Sequence, residues 1–372
     1  MNKIIYLDAA ASALKPAAVV DAQVDFLRHK YANAGRGICA RVAAVDNMVA
    51  DARRTVGEWI HAAPYQIVFT SGTTDAMNRI VGMVRQLPVF SARRPVVGVS
   101  DLDHHSARMP WQHLANGGVC DIAVCPLDAD FNIDVAQLPV ADVLVITAMS
   151  NVMGAPQDVA AVVRAARAKN PRVITIVDAA QYVAHAPIDV AAWGCDFLCF
   201  SGHKIGADTG VGVMYIKNPD DIPADKFGGG MVNTILPDGH WTLNAAPEKF
   251  EAGTLPLTQI AGLSPAIDAW RAWGGSHEMI AYLYDELSKM PRAKILTSRD
   301  AALLSMVVDG MHVLDFGAFA GTRNLCMRVG NMCATWIHRA LNIGGSIRIS
   351  VGPWNTMDDM RDAVRIIGEI VK

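Results

Sequence analysis

Two residues within the segment 173–215 could do chemistry together. Asp178 closes one apolar run, and Lys204 follows a second one after the polar step Ser201-Gly202-His203. Gly210 and Gly212 then interrupt the chain before a third apolar run. A carboxylate can hold a protonated pyridine nitrogen, and a lysine amine can condense with an aldehyde. Pyridoxal phosphate makes both demands, so the block implies an enzyme that acts on an amino acid.

Such a pair works only if the chain delivers both side chains to one edge. The runs 173–177 and 197–200 read as buried strands, the first ending at Asp178 and the second just before His203 and Lys204. Residues 211–216 follow too closely for a crossover helix, which predicts antiparallel pairing there. Upstream, Val45, Val49, Ala52, Val56 and Trp59 recur at helical spacing and predict an amphipathic helix over about 43–61. A strand at 66–70 runs into Ser71-Gly72-Thr73-Thr74, and a helical pattern resumes over 75–84. Backbone N–H groups and hydroxyls at a helix start suit a phosphate dianion, although a helix cap alone also uses Ser and Thr.

Further strands are expected at 95–100, 120–125 and 143–146, with a polar cluster at 101–106, a turn at Asn151 and a helix over 159–168. Alternating strands and helices with near-continuous apolar strands indicate an α/β layer on a mostly parallel sheet. Polar residues collect just beyond the strand ends, where such sheets bind ligands. Past about residue 260 the texture changes to two helices over 261–273 and 277–290, weaker strands near 294–296, 303–308 and 348–351, and a closing helix over 357–369. That fits a smaller α+β part. There is no internal repeat and no low-complexity linker.

With 372 residues, 52% of them hydrophobic and only 19% charged, the chain can bury a large core and has apolar surface to spare for a subunit interface. A formal net charge of −3 with scattered Lys and Arg gives no footing for nucleic acid or an acidic membrane. Seven cysteines, an odd number in a large chain, point to a reducing compartment. Cys120/Cys125 and Cys195/Cys199 lack the spacing of a typical zinc site and read as core residues, so no metal is expected. The N-terminus has no signal-peptide pattern and no run reaches membrane-span length, which places the protein in the cytoplasm as an expectation.

In order and spacing, the segments 68–78, 103–112, 177–181, 200–204, 250–254 and 328–334 resemble the cysteine desulfurases of the class V aminotransferase family, in the SufS/CsdA-like branch. The resemblance runs from Tyr6-Leu7-Asp8-Ala9-Ala10 to Trp354-Asn355-Thr356. It implies a fold-type I pyridoxal phosphate enzyme. Such an enzyme has a large cofactor-binding domain on a mostly parallel seven-stranded sheet, here over 15–260. A small α+β domain would come from 1–14 and 261–372.

By the same resemblance Lys204 binds the cofactor and later serves as acid and base at the substrate α-carbon. Asp178 pairs with the ring nitrogen, Gln181 and Asn151 lie near the ring hydroxyl, and His104 stacks on the ring. Thr73, Thr74, Ser201 and His203 hold the phosphate, and Thr254 reaches the phosphate of a partner subunit, which implies a homodimer. Arg348 grips the substrate carboxylate, with Asn151 beside it and Arg36 in a loop at the substrate mouth. His105, next to the stacking histidine, reads as structural. Cys333 matches the cysteine that accepts sulfur as a persulfide.

The implied activity is conversion of L-cysteine to L-alanine, with sulfur passed on to a SufE-like or scaffold-type acceptor. Several residues depart from the family pattern: Asn331 and Met332 replace two histidines before Cys333, and Thr335-Trp336 follow it where Gln-Pro or Met-Pro is common. Gly35, Cys39 and Ala148 also stand where histidines are frequent, and Gly206-Ala207-Asp208-Thr209 replaces a Tyr-Gly-Pro-Thr run. These changes surround the substrate and spare the cofactor residues. They keep open a second reading, a lyase, epimerase or selenocysteine lyase-like enzyme for another amino acid. A non-enzymatic partner role fits poorly with Lys204, Asp178, His104 and Arg348 all in place.

Overall fold

The computed structural model describes residues 3–35 and 37–372. Among them, seven strands form one sheet in the spatial order Ile67–Thr70, Gly212–Ile216, Phe197–Ser201, Ile174–Asp178, Val143–Thr147, Val96–Ser100, Asp121–Cys125. The last five run parallel, and Gly212–Ile216 is antiparallel to both of its neighbours, as its short connection requires.

Every residue of Val143–Thr147 and Phe197–Ser201 is buried, which explains why the central strands read as unbroken apolar runs. Alternate residues serve opposite faces. Phe197 and Cys199 pack with Met77, Ile80 and Trp111 on one side. Leu198 and Phe200 pack with Val162, Val163 and Ile205 on the other. Cys199, and Cys195 within the second cluster, are therefore core residues. The strand ends, freed from this packing, carry the polar side chains.

Two sequence expectations need revision. The helix expected over 261–273 is Leu263–Arg271, and a separate short helix, Leu257–Ala261, precedes it. Gly262 stands at the break, where an added Cβ would lie only 3.1 Å from Val19 Cγ1. The polar cluster at 101–106 is the threshold of a helix, His105–Asn116, whose internal Pro110 hides it from a periodicity reading.

A second sheet, Ala293–Ile295, Leu304–Val308, Ser346–Ile349 and Arg328–Gly330 in spatial order, is antiparallel throughout. The N-terminal strand Ile5–Tyr6 pairs in parallel with Leu325–Cys326. From there the chain crosses to the large sheet: Asp8 bridges to Ser350, and the Ala13 N–H donates to the His203 carbonyl. This crossing segment brings both sheets to the ends of the strands that carry Asp178 and Lys204. Among the described residues, no helix is long and apolar enough to cross a membrane.

Candidate active site

A cavity of about 230 Å³ opens at these strand ends. Asp178 ends its strand in register with Cys199 of the parallel neighbour, and three residues past that neighbour's last residue, Ser201, the chain turns to present Lys204. Thr73, Thr74, His104, Asn151, Gln181, Ser201 and His203 also line the cavity. The helix Thr73–Val84 supplies the opposite wall.

The threonine end is built on two glycines. Gly72 has φ +144°, and a Cβ there would lie 3.1 Å from Ser201 Oγ. A Cβ on Gly212 would lie 2.5 Å from Gly72 Cα, so the two loops can meet only without side chains at these points. As a result the Thr73 N–H donates to Ser201 Oγ at 2.8 Å, and the Thr73 and Ser201 hydroxyls pair at 2.9 Å. The Thr74 hydroxyl pairs with Ser106 Oγ at 2.7 Å.

Lys204 Nζ donates to the Ala10 carbonyl at 2.6 Å and the Ala11 carbonyl at 3.3 Å. Among the described residues it has no carboxylate partner. Burial, and then the nearby Arg348 cation, lower its amine to about 8, against the pull of Asp178 and Asp8. Asp178 is 3% exposed and accepts the Ala180 N–H at 2.9 Å. Burial raises its carboxyl to about 6, offset in part by that hydrogen bond and by Lys204. Gln181 donates to the same Ala10 carbonyl at 2.7 Å.

His104 caps the helix His105–Asn116 by accepting the Ser106 N–H at Nδ1, 3.1 Å away, so in the neutral ring the proton sits on Nε2. Burial, then Lys204, His105 and Arg348, lower it to about 4, and the imidazole is neutral at pH 7. Its position rests on Asp103, fully buried and bonded to Ser100 and Thr147.

Arg348 and Cys333 stand just outside the cavity walls. Arg348, 2% exposed, donates to the Asn151 carbonyl at 3.0 Å and to Asp8 at 3.1 Å. Cys333 is exposed on a turn in which both Met332 and Cys333 have positive φ, 47° and 54°. Asn151 Nδ2 donates to the Met332 carbonyl at 2.8 Å, and the His105 N–H donates to the Cys333 carbonyl at 2.8 Å. Thr254 is not brought to this cavity. It is exposed and lines a different one, of about 590 Å³, beside Asn33, Gly35 and Asp46. Arg36 lies outside the described residues. Ser106, Thr147 and Met149 line the active cavity without having been singled out in the sequence. Ser106 closes the polar cluster at 101–106, and Thr147 is the polar residue at a buried strand's end, so both carried a readable signal.

Asn151 Oδ1, His203 Nδ1 and Arg348 Nε are buried without partners among the described residues. Orphaned groups of this kind, beside a close-set cluster of hydroxyls, an amine held only by backbone carbonyls among the described residues and a buried carboxylate, fit a polar anionic ring such as pyridoxal phosphate.

The architecture is that of a fold-type I pyridoxal phosphate enzyme. Its resemblance to solved structures is close over the whole chain. The apo structure of a cysteine desulfurase from Thermococcus onnurineus NA1 matches with a TM-score of 0.92 at 26% identity, covering 100% of this chain and 95% of that one. The cysteine desulfurase CsdA from Escherichia coli, in an S-sulfonic acid form, matches with a TM-score of 0.89 at 29% identity, covering 99% and 96%. A curated cysteine desulfurase from Yersinia pestis (strain Pestoides F) is 32% identical over 385 aligned positions, 99% of this chain and 94% of that protein. The aminotransferase class-V family model matches residues 5–362, and the chain belongs to that family.

Proposed function

We propose that the chain is a pyridoxal phosphate-dependent L-cysteine desulfurase that carries sulfur on Cys333. The observation that carries this reading is the turn at 331–334, which exposes Cys333 and is tied through its backbone to the cofactor cavity, Met332 by Asn151 and Cys333 by His105. The names of the similar proteins above support it.

Bound in the cavity, pyridoxal phosphate supplies an electron sink for a bond broken at the substrate's α-carbon. Thr73, Thr74, Ser201 and His203 would hold its phosphate, Asp178 its ring nitrogen, Asn151 and Gln181 its ring hydroxyl, and His104 a ring face. Lys204 would hold the cofactor and move the proton at the substrate Cα, a task that an amine with a pKa of about 8 suits. Arg348 orients the substrate carboxylate.

The Cys333 thiolate attacks the sulfur of L-cysteine. An S–S bond forms, the Cβ–S bond breaks with its electron pair on carbon, and a proton completes L-alanine. Cys333 is left as a persulfide, which a thiol of a SufE-like or scaffold acceptor can take. The same proposal includes a homodimer in a cytoplasmic setting. Exposed Phe227, Ile235 and Trp241, together with Thr254 away from its own cavity, support the dimer. It also includes a division into a cofactor domain over 15–260 and a small domain from 1–14 and 261–372, which the pairing of Ile5–Tyr6 with Leu325–Cys326 supports. An Arg36 contact with substrate rests on the family loop alone.

The test is reconstituted protein given a panel of amino acids, with alanine and sulfide measured as products. L-Cysteine should yield both, and mass spectrometry should find one extra sulfur on Cys333. Cys333→Ser should bind cofactor yet form no alanine. If that variant turns over cysteine as well as the wild type does, the desulfurase reading fails, and a lyase or epimerase takes its place.

A further inference from the structure

We propose that His105 is a positioning residue for the sulfur-carrying turn, clamping Cys333 against the cavity through Thr335; the inference rests on Cys333 being the sulfur acceptor. The turn does not hold its own shape. Met332 and Cys333 are consecutive left-handed residues, and neither is glycine. Side chains disfavour that region, so something outside the turn must impose it.

The imposing contacts come from the site. Within the turn only the Ala334 N–H to Asn331 carbonyl bond, 2.8 Å, spans the four residues. From outside, Asn151 holds the Met332 carbonyl and the His105 N–H holds the Cys333 carbonyl. The His105 ring adds a third point: Nε2 meets Thr335 Oγ1 at 3.0 Å and accepts the Thr335 N–H at 3.4 Å. A nitrogen that accepts a backbone N–H carries no proton, so the Thr335 hydroxyl must be the donor. Burial favours that neutral ring.

The ring itself is fixed. It stands edge-on to Trp336 with centroids 5.2 Å apart and planes at 82°, and the Arg108 guanidinium lies 4.2 Å over that indole. Arg108 is buried and bonded to the Ser100 carbonyl and to Asp101. Cys333, Thr335 and Trp336 are thus seated on the segment that presents His104, while Met332 is held by Asn151. Thr335 and Trp336, which depart from the family pattern, are the residues that receive His105. The chain lacks the histidines usual before the cysteine, and this clamp places the thiol instead.

The experiment uses cofactor-loaded protein with His105→Phe, which keeps a flat ring against Trp336 but removes the acceptor, and His105→Gln, which restores one. Hydrogen exchange of the peptide over 328–336 should quicken about tenfold in the Phe variant and stay near wild type in the Gln variant. The kcat for alanine formation should fall about threefold to tenfold with KM within twofold, because a misplaced thiol slows the transfer without weakening substrate binding. Thr335→Val should reproduce the Phe phenotype, and the double variant should be no worse than either single one. Wild-type exchange in His105→Phe, or additive effects in the double variant, would overturn the proposal. Exchange and additivity read the clamp even if the protein makes no alanine, so a failed clamp and a failed desulfurase reading are told apart.

Discussion

Arg348 donates through Nη2 to Asp8 Oδ1 at 3.1 Å, and both residues are buried. Asp8 is shared, since Arg328 reaches its other oxygen at 2.7 Å. With Nη1 on the Asn151 carbonyl, Nε of Arg348 is left without a partner among the described residues. The guanidinium therefore does not present an open two-pronged fork to a substrate carboxylate. An arriving carboxylate must meet Nε and share or displace Asp8, and Arg328 can keep Asp8 neutralised while that happens.

Arg348→Lys tests the grip on substrate. Lysine keeps the charge but loses the planar set of donors, and each charge-assisted hydrogen bond lost costs about 1.5–3 kcal/mol. KM for L-cysteine should rise about tenfold or more, while the absorbance of bound cofactor stays unchanged. Steady-state kinetics with a KM within twofold of wild type would remove Arg348 from substrate binding.

Lys204 sets the pH dependence of cofactor uptake. Its amine must be neutral to attack an aldehyde, and burial with the Arg348 cation holds it at about 8. The rate at which apoprotein takes up pyridoxal phosphate should climb about tenfold per pH unit below 8 and flatten above it. Stopped-flow absorbance reads this directly. Borohydride should trap the cofactor on Lys204 in the wild type, and nothing should be trapped there in Lys204→Ala.

Asp178 should trade stability for chemistry. Its folded-state carboxyl is raised from 3.8 to about 6, so the folded chain loses stability relative to the unfolded one as pH rises between those values. Below 3.8 both states are protonated and nothing is lost; above 6 the loss is complete, up to about 3 kcal/mol. Asp178→Asn keeps the acceptor for the Ala180 N–H and removes the charge. The cofactor-free variant should therefore be more stable than wild type at pH 7, and the gain should vanish near pH 4. Urea unfolding at both pH values measures it, and turnover of the loaded variant should fall at least tenfold.

The cofactor side of this site was legible because its residues follow strand ends. Burial on both faces makes 174–178 and 197–201 unmistakable, and Asp178 and Lys204 stand where the apolar runs stop. Thr73 and Thr74 were legible as a helix start. Other parts were not. The two-residue strand Ile5–Tyr6 is too short to show a period, and its partner lies about 320 residues away. Asp8 looked like one more polar residue near the N-terminus, because its two arginine partners come from the far end of the chain. The left-handed pair Met332 and Cys333 carries no glycine to announce it, since tertiary contacts rather than local preference hold the turn.

In the proposed homodimer, Thr254 decides whether the site is shared between subunits. It follows Glu251, which is buried in a double hydrogen bond to Arg53 at 2.8 Å each and also accepts the Phe69 N–H. That anchor holds the segment firmly while leaving Thr254 exposed, in a cavity apart from Lys204. If Thr254 completes a partner's phosphate site, Thr254→Asp should lower activity by repelling that phosphate. Lys204→Ala is inactive for a different reason. In a heterodimer of the two variants, one site carries both defects and the other carries neither. Random exchange of equal amounts gives about half heterodimers, each with one intact site, so about a quarter of wild-type activity should return. Recovery after mild dissociation and mixing, read by alanine formation, supports a shared site. A mixture no more active than its parents, with heterodimers verified by mass, would place Thr254 outside it.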